Sequence, residues 1–171
     1  RDNEYASEQM ERLRISNNLF EDISSERWGG GGIFLQLTET SSVTVDHNTV
    51  FHSGTIINAY GRGSSNFVLT NNVMAHNVYG IFGSNQSPGR ASINLYLPGA
   101  VIRRNVIAGA DAGTYPPDNF YPLRLDDVKF MDRAHGNYRL AAGSRYKGRA
   151  TDGRDVGCDF DALAAALGAS S

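Results

Sequence analysis

Three polar side chains beside aliphatic segments are candidates for acid–base chemistry. Asp46 and His47 directly follow residues 43–45, and Arg103 ends the similar segment 101–103. A carboxylate, an imidazole and a guanidinium can move protons or stabilise charge when the fold places them on one surface. Asp46, His47 and Arg103 are therefore the candidate catalytic residues.

A second set of residues could bind a sugar. Arg104 directly follows the segment just described, and the long loop 109–122 carries Tyr115, Phe120 and Tyr121. An aromatic ring offers a flat apolar surface and an edge that tolerates polar groups, so these residues could hold sugar rings. The alternative, which we favour, is that the loop aromatics cover strand edges.

The sequence does not indicate a metal centre. His52 and His76 each lie four residues after a recurring asparagine and could be vertical neighbours, but two histidines without a third ligand make a weak site. The tail contains aspartates at 152, 155, 159 and 161, without the D-x-D-x-D-G spacing and distal glutamate of a calcium loop. We expect no metal and no cofactor, with calcium as the alternative.

An internal repeat must position these residues. Asn18, Asn48, Asn72 and Asn105 each follow an aliphatic residue by three positions, and the copies lie 30, 24 and 33 residues apart. Alternating apolar residues on both sides of each asparagine favour β-strands. Such spacings are typical of solenoids, in which each repeat forms one coil.

Stacked coils would align equivalent residues in vertical columns. The four asparagines would superpose at one corner, where their amides can bond to the amides above and below. Asp46, Thr70 and Arg103 would form an outward column, with Asp46 and Arg103 about 10 Å apart, which suits two groups flanking a sugar. The neighbouring column would hold the residues that follow them, His47, Asn71 and Arg104.

The asparagine corners, the glycine–aliphatic strands that follow them and the tail resemble bacterial right-handed parallel β-helix proteins of the pectate-lyase-like superfold. The tail segments 136–144 and 151–157 are similar to the closing segment of many such proteins. The resemblance covers nearly the whole chain. It implies an all-β fold, a right-handed parallel β-helix (solenoid) of about four to five coils with a short C-terminal capping helix.

The resemblance also implies extracellular carbohydrate chemistry, in a secreted or cell-surface protein that binds or processes polysaccharide. Residues 43–47 are similar to the V-x-I-D-H phrase of pectate lyases, but the arginine-x-proline-x-x-arginine phrase that carries the base in that family is missing. Enzyme activity therefore stays open, and an enzyme would be a polysaccharide lyase or a glycoside hydrolase. The alternatives are a non-catalytic structural or adhesion module, and an epimerase or lyase whose groove follows Gln36, Asn58 and Gly83.

Composition argues against several other classes of protein. The 171-residue chain is 40% hydrophobic, with a net charge of −2 and a pI near 6.1. Its basic residues form no stripe, so nucleic acid is not an expected partner. No apolar run approaches the ~20 residues of a membrane span. Cys158 is the single cysteine, so no internal disulfide forms.

The chain divides into three predicted segments. Residues 1–12 are polar and predict a loop from an earlier coil, residues 13–140 predict the β-helix, and residues 141–171 predict the tail and cap. A helix over 161–168, with Asp161 as N-cap, would close the open end of the solenoid. The first coil would leave strand edges unpaired, which predicts self-association or further coils upstream.

Two regions between these landmarks carry weaker patterns. Residues 84–99 predict an excursion from the coil or an added edge strand over 93–97. Residues 123–125 and 128–130 alternate as strands and predict a final partial coil that ends near 138–140.

Overall fold

The computed structural model describes residues 9–168, which are mostly β and contain three parallel sheets. The first sheet consists of β1 (Arg14–Ser16), β4 (Thr44–Asp46), β7 (Val68–Thr70) and β10 (Val101–Arg103). The second consists of β2 (Leu19–Ile23), β5 (Thr49–His52), β8 (Val73–Ala75) and β11 (Val106–Ala108). The third consists of β3 (Leu35–Leu37), β6 (Ile57–Ala59) and β9 (Ile81–Gly83).

Each pass of the chain adds one strand to each sheet in turn, and we call each pass a coil. The first three coils are β1–β3, β4–β6 and β7–β9, and the fourth supplies β10 and β11. Within each sheet the strands follow the order of the coils, so every strand pairs with its counterpart in the next coil. This stacking is compatible with the predicted parallel β-helix.

The main core consists of the inward residues of all three sheets. Val45, Leu69 and Ile102, each in the middle of a strand of the first sheet, are at most 3% exposed. The second sheet contributes Val50, Met74 and Ile107, and the third contributes Leu37, Ile57, Ala59 and Ile81. Burying one such aliphatic side chain contributes roughly 1.5–3 kcal/mol, so each coil adds its own layer of stabilisation.

The predicted asparagine ladder is confirmed. Its rungs are Asn18, Asn48, Asn72, Asn105 and a fifth residue, Asn119. The side-chain oxygen of each following asparagine accepts from the backbone N–H and the side-chain amide of the preceding one, at 2.9–3.0 Å. These bonds pair the polar groups that the corner buries, and an unpaired buried group would cost about 1–3 kcal/mol.

The bend at each corner lies one residue before the ladder asparagine. Asn17, His47, Asn71 and Arg104 have φ angles of 52–59°. This left-handed conformation is costly for most side chains and best tolerated by glycine and asparagine. The left-handed residue of each corner is therefore the one before the ladder asparagine.

A second, smaller core covers the outer face of the second sheet. Val73 and Val106, which alternate with the inward residues, pack against a group of C-terminal side chains that includes Val128, Leu140, Tyr146 and Val156. These come from a 3₁₀ turn at Leu125–Val128, the antiparallel hairpin of β12 (Phe130–Asp132) and β13 (Asn137–Leu140), and the tail. Part of the outer face of the second sheet is therefore covered as well.

Two local predictions are wrong. Residues 123–130 form no partial coil, because the 3₁₀ turn interrupts them and β12 pairs antiparallel with β13. Of the two alternatives for residues 84–99, the edge strand over 93–97 is wrong, because α2 (Arg90–Tyr96) covers most of that range, and the excursion from the coil is what the structure contains. Ile93, Tyr96 and Leu97 are all buried in the main core, and their spacing fits one face of a helix.

Residues 151–159 form a segment that we call the strap, which runs back along the corners of three coils. At the third coil, the backbone N–H of Thr151 donates to the Asn71 side chain (2.8 Å), and the N–H of Gly157 donates to the Asn71 carbonyl (2.8 Å). At the first coil, the N–H of Asp159 donates to the Asn17 side chain (2.7 Å). The strap therefore joins residues of the first coil to residues of the third.

The predicted short C-terminal helix is confirmed, within two residues of the expected bounds 161–168. α3 (Phe160–Ala166) takes Asp159 as its N-cap, and this residue is held at the first coil. None of the residues of α3 is buried, so the expected closing of an open coil by its alanine face is not seen. No helix within residues 9–168 has both the length and the hydropathy to cross a membrane.

The predicted N-terminal segment lies mostly outside the described residues, which begin at Gln9. Where it is described, Glu11 bridges to Ser41, and Ser41 bridges in turn to Ser65. The division of the chain at residues 12 and 140 stays a prediction.

Candidate functional site

The candidate catalytic column has the expected register. Asp46 lies opposite Thr70, and Thr70 lies opposite Arg103. The Asp46 carboxylate accepts hydrogen bonds from the Thr70 hydroxyl and the Asn71 side-chain amide, both at 2.8 Å. Arg103 forms a salt bridge to Asp118 at 3.2 Å. Each charged side chain of the column is therefore already engaged by a neighbour within the fold.

His47 lies beneath the strap. Its side chain is buried, with Nδ1 3.1 Å from the carbonyl oxygen of Gly157 and Nε2 3.2 Å from a carboxylate oxygen of Asp152. Both ring nitrogens therefore contact the tail. In this position the imidazole attaches the strap to the second coil and does not face solvent.

The candidate sugar-binding residues mostly pack against one another. Arg104 forms a salt bridge to Asp118 (3.1 Å) and lies over the ring of Phe120. Tyr121 stacks on Tyr115 with ring centroids 6.3 Å apart. Both expectations for these residues, sugar binding and the covering of strand edges, stay predictions.

Tyr115 is fully enclosed by the protein. The whole residue is 0% exposed, and its hydroxyl accepts a hydrogen bond from the backbone N–H of Ile81 at 3.1 Å. Burial raises the pKa of the Tyr115 hydroxyl to about 12. A sugar on the surface could not reach this ring.

The third predicted row has a different register. Gln36 pairs with Asn58 as expected, but Asn58 pairs with Phe82, while Gly83 lies opposite Ala59. The expected row through Gly83 is therefore wrong by one residue, because side chains alternate between the two faces of a strand. On the outer face, Phe82 contacts Tyr79 at 5.2 Å between ring centroids.

A groove of about 1020 Å³ lies over the outer side of the second sheet. We call it the second-sheet groove. It receives residues from β2, β5, β8 and β11, and its opposite wall comes from the 3₁₀ turn and the hairpin. The residues that carry its chemistry and shape are Glu21, Asp22, Arg27, Phe51, His52, Ala75, Asn77, Ala108, Arg124, Asp126, Arg133 and Tyr138.

The groove exists because the outward side chains shrink along the second sheet. Phe51 alternates with the buried Val50 in β5, and the corresponding outward residues of β8 and β11 are Ala75 and Ala108, which pair with each other. A methyl group fills far less space than a phenyl ring. The hairpin packs on Phe51, whose ring lies 4.6 Å from that of Tyr138, and an open channel remains over the two alanines.

The acidic and basic groups of the groove are arranged in pairs. Arg133 binds Asp126 at 2.7 Å and lies over the Phe51 ring. The Tyr138 hydroxyl donates to the Glu21 carboxylate, and this bond, more than the burial of the phenol, raises the pKa of Tyr138. The lining contains as many arginines as carboxylates, so the groove has no strong excess of either charge.

His52 lies on the floor of the groove. Burial lowers its pKa, which opposes the smaller effect of its backbone hydrogen bonds. Its Nε2 lies 2.9 Å from the carbonyl oxygen of Ala75, and the side chain of Asn77 donates to the His52 carbonyl. His76 instead contacts the Tyr115 ring. Within residues 9–168, no three His, Cys, Asp or Glu side chains converge as metal ligands.

The groove was not predicted from the sequence. Its walls come from residues that are far apart in the chain, and the hairpin that forms one wall was predicted to be part of a coil. The available signal was the change from Phe51 to Ala75 and Ala108 at equivalent positions, three residues after the ladder asparagines. This signal becomes useful only once the register of the second sheet is known.

Comparison with known proteins gives no family for the chain. It matches no protein-family model, no curated protein and no solved structure. We therefore infer function from the shape, the charge and the aromatic content of the second-sheet groove.

Proposed function

We propose that this chain is a right-handed parallel β-helix domain, similar to the pectate-lyase-like superfold, that binds polysaccharide in the second-sheet groove. Three parallel sheets in coil order and the asparagine ladder support the architecture. The predicted location at the cell surface or outside the cell rests on the same resemblance, as does carbohydrate as the class of partner.

The observation that carries the proposal is an elongated groove with an aromatic wall. It crosses all four strands of the second sheet, a span of about 14 Å at the usual strand spacing of about 4.8 Å. Phe51 and Tyr138 line it, together with charged and amide groups. Such a shape suits a chain of linked rings, because aromatic faces contact ring carbons while polar groups bond hydroxyls.

Binding, without catalysis, is the function that these contacts support. The carboxylates Asp126 and Asp22 are bound to arginines, and Glu21 accepts from Tyr138. Groups held in this way can orient a ligand. A polysaccharide lyase or glycoside hydrolase would need a positioned acid or base, and this role for Asp46, His47 or Arg103 stays a prediction. The structural or adhesion module remains the rival.

The groove can be tested by filling its floor. Ala75→Phe places a ring over the channel without changing any charge, so we expect binding to neutral and uronic hexasaccharides on a glycan panel to weaken by about 10-fold or more, equivalent to ~1.4 kcal/mol. Calorimetry on the best panel ligand measures the change. Ala112→Phe, on an exposed loop outside the groove, is the matched control and should bind as the parent does.

A chain that binds no member of the panel would overturn the proposal and favour the structural module. Equal binding by Ala75→Phe and the parent would show that a carbohydrate site exists elsewhere, with the outer face of the third sheet as the next region to test. Circular dichroism of both variants confirms that the parallel sheets remain intact.

A further inference from the structure

Trp28 is the single tryptophan of the chain, and it is 71% exposed. It ends the short helix α1 (Ser25–Trp28), which lies between β2 and β3. Tryptophan is highly buried on average, so an indole that is left largely in water is an informative exception. Such residues are enriched where one molecule binds another.

The indole of Trp28 is fixed in place by two neighbours. Its Nε1 donates a hydrogen bond to the Asp22 carboxylate at 2.8 Å. The Arg27 guanidinium lies 5.3 Å from the ring centroid and also binds Asp22 at 2.8 Å. Asp22 thus holds both side chains, and Arg27 supports the ring by a cation–π contact. The ring is presented to solvent in a defined orientation.

A β-bulge explains why Asp22 can reach the helix. The register of β2 against β5 shifts between Phe20 and Ile23, and Asp22 has a φ angle of 57°. Bulges of this kind redirect side chains at the edge of a sheet. The redirected Asp22 contacts Trp28 while it also lines the groove.

The exposed indole of Trp28 lies next to the first-coil end of the second-sheet groove. Asp22 and Arg27 line the groove, and the same two side chains hold the indole. A chain bound at the first-coil end of the groove would therefore lie close to the exposed ring.

We propose that Trp28 is a stacking platform for one neutral sugar ring, at the first-coil end of a polysaccharide bound in the second-sheet groove. This inference rests on the function proposed above. The carbon–hydrogen face of a pyranose is apolar and matches the indole, while its hydroxyls can bond to Asp22 and Arg27.

The charges around Trp28 favour a neutral ring over a uronate. Arg27 is already paired with Asp22, so the platform offers no uncommitted cation to a carboxylated sugar. Asp22 would repel that carboxylate at short range. A uronate chain would therefore lose the stacking contact or disrupt the ion pair that supports the ring.

Because Trp28 is the only tryptophan, its fluorescence reports on the platform directly. The intact chain is titrated with cellohexaose, xylohexaose, mannohexaose and hexagalacturonate, with excitation at the red edge where only tryptophan absorbs. We expect at least one neutral hexasaccharide to shift the emission to shorter wavelength as the ring leaves water, with hexagalacturonate causing a smaller shift. Calorimetry measures the same binding without reference to tryptophan.

Trp28→Ala should weaken binding of that neutral hexasaccharide by about 10-fold, and Trp28→Phe should restore part of the loss. The matched control is Tyr60→Ala, which removes another exposed aromatic ring, at the end of the third sheet, and should leave binding unchanged. Circular dichroism of each variant checks that the fold remains intact.

The outcomes separate the two proposals. Calorimetric binding that Ala75→Phe abolishes, with no emission shift and no effect of Trp28→Ala, would overturn the platform and keep the groove. Stronger emission shifts with hexagalacturonate than with every neutral chain would also overturn the platform as defined. Failure of all four probes to bind by calorimetry would overturn both.

Discussion

At the scale of single residues, Asn72 shows how one side chain can support several backbone segments. Its oxygen accepts from the N–H and the side-chain amide of Asn48, and its own amide donates to Asn105 and to the carbonyl of Val45. All of these groups lie in a corner that excludes water. Each coil therefore supplies hydrogen-bond partners for the coil before it and the coil after it.

Replacing Asn72 by alanine should destabilise the fold strongly. The change removes the buried acceptor of the Asn48 backbone N–H and side-chain amide, and the buried donor to the Val45 carbonyl, so we expect a loss of at least about 3 kcal/mol in the free energy of unfolding. Chemical denaturation followed by circular dichroism measures it. Asn18→Ala, at the half-buried end of the ladder, is the control and should cost about 1 kcal/mol. Equal losses would contradict this account of the inner rungs.

The ladder could be predicted from sequence, whereas the environment of the candidate site residues could not. Spacing alone identified Asn18, Asn48, Asn72 and Asn105, because each must recur once per coil. Asn119 escaped because it lies only 14 residues after Asn105 and follows a proline by three positions where the others follow an aliphatic residue. The burial of His47 could not be foreseen either, since it depends on the distant strap.

At the scale of elements, the strap determines what the corner residues do. Asn17, His47 and Asn71 are the left-handed residues of three successive corners, and each binds the strap. The strap in turn needs Gly157, which has a φ of 98° and where a Cβ would lie 2.8 Å from the Thr49 hydroxyl. The column that contains His47 and Asn71 could have been a solvent-facing site, but it binds the tail instead.

Acid should loosen the strap through Asp152. Partial burial alone would raise the pKa of Asp152, but hydrogen bonds from Arg154 and the charges of His47 and Arg154 lower it from 3.8 to about 2. Because the folded pKa is depressed, the contribution of this carboxylate is complete above about pH 4 and disappears as the pH falls through about 2. We therefore expect the strap to detach in this window.

Labelling of the Cys158 thiol measures strap detachment. Cys158 is a buried residue of the strap, and its backbone N–H donates to the Thr49 hydroxyl. Burial raises the pKa of its thiol to about 11. A dithiodipyridine reagent that reacts in acid should therefore label the native chain slowly. The labelling rate should rise between pH 4 and 2. In Asp152→Asn this acid step should vanish, while Asp155→Asn should retain it. A step that persists in Asp152→Asn would assign the transition to another group.

The sequence predicted the elements that depend on local patterns and missed those that depend on contacts with distant parts of the chain. The strands of the three sheets follow from alternation repeated in each coil, and the asparagine spacing gives the register of the first two sheets. For residues 84–99 the sequence left an excursion and an edge strand open, because Ile93 to Leu97 fits either period over so short a run, and burial against the main core selected the helix. The hairpin and the position of α3 depend on contacts with the outer face of the second sheet, which no local pattern contains.

At the scale of the whole molecule, the coils differ in how well they are enclosed. Ile15, Phe20 and Leu35 of the first coil are partly buried, whereas Val45 and Val50 of the second coil are fully buried. Among the described residues, β1, β2 and β3 each have one strand neighbour, while β4, β5 and β6 each have two. In stacked repeats, stability depends largely on such neighbour contacts.

Hydrogen exchange should therefore be graded along the stack. We expect backbone amides of β1, β2 and β3 to exchange faster than those of β4, β5 and β6, because fewer contacts must break to open them. Asn17→Ala, which releases the strap from the first coil, should increase the difference. Exchange by mass spectrometry resolves these segments. Uniform rates across the coils in both proteins would indicate that the stack opens as one unit.

The strap also limits how many coils can lie between its attachment points. Its attachment points at Asn17, His47 and Asn71 lie on successive layers, and the stretch from Thr151 to Asp159 has a fixed contour length. Inserting a layer between the first and third would move Asn17 away by about 4.8 Å and break the match. Loops can lengthen without this penalty, as the unequal repeat lengths of 24 and 30 residues show. Duplication of a repeat within this span is therefore disfavoured, whereas growth of its loops is permitted.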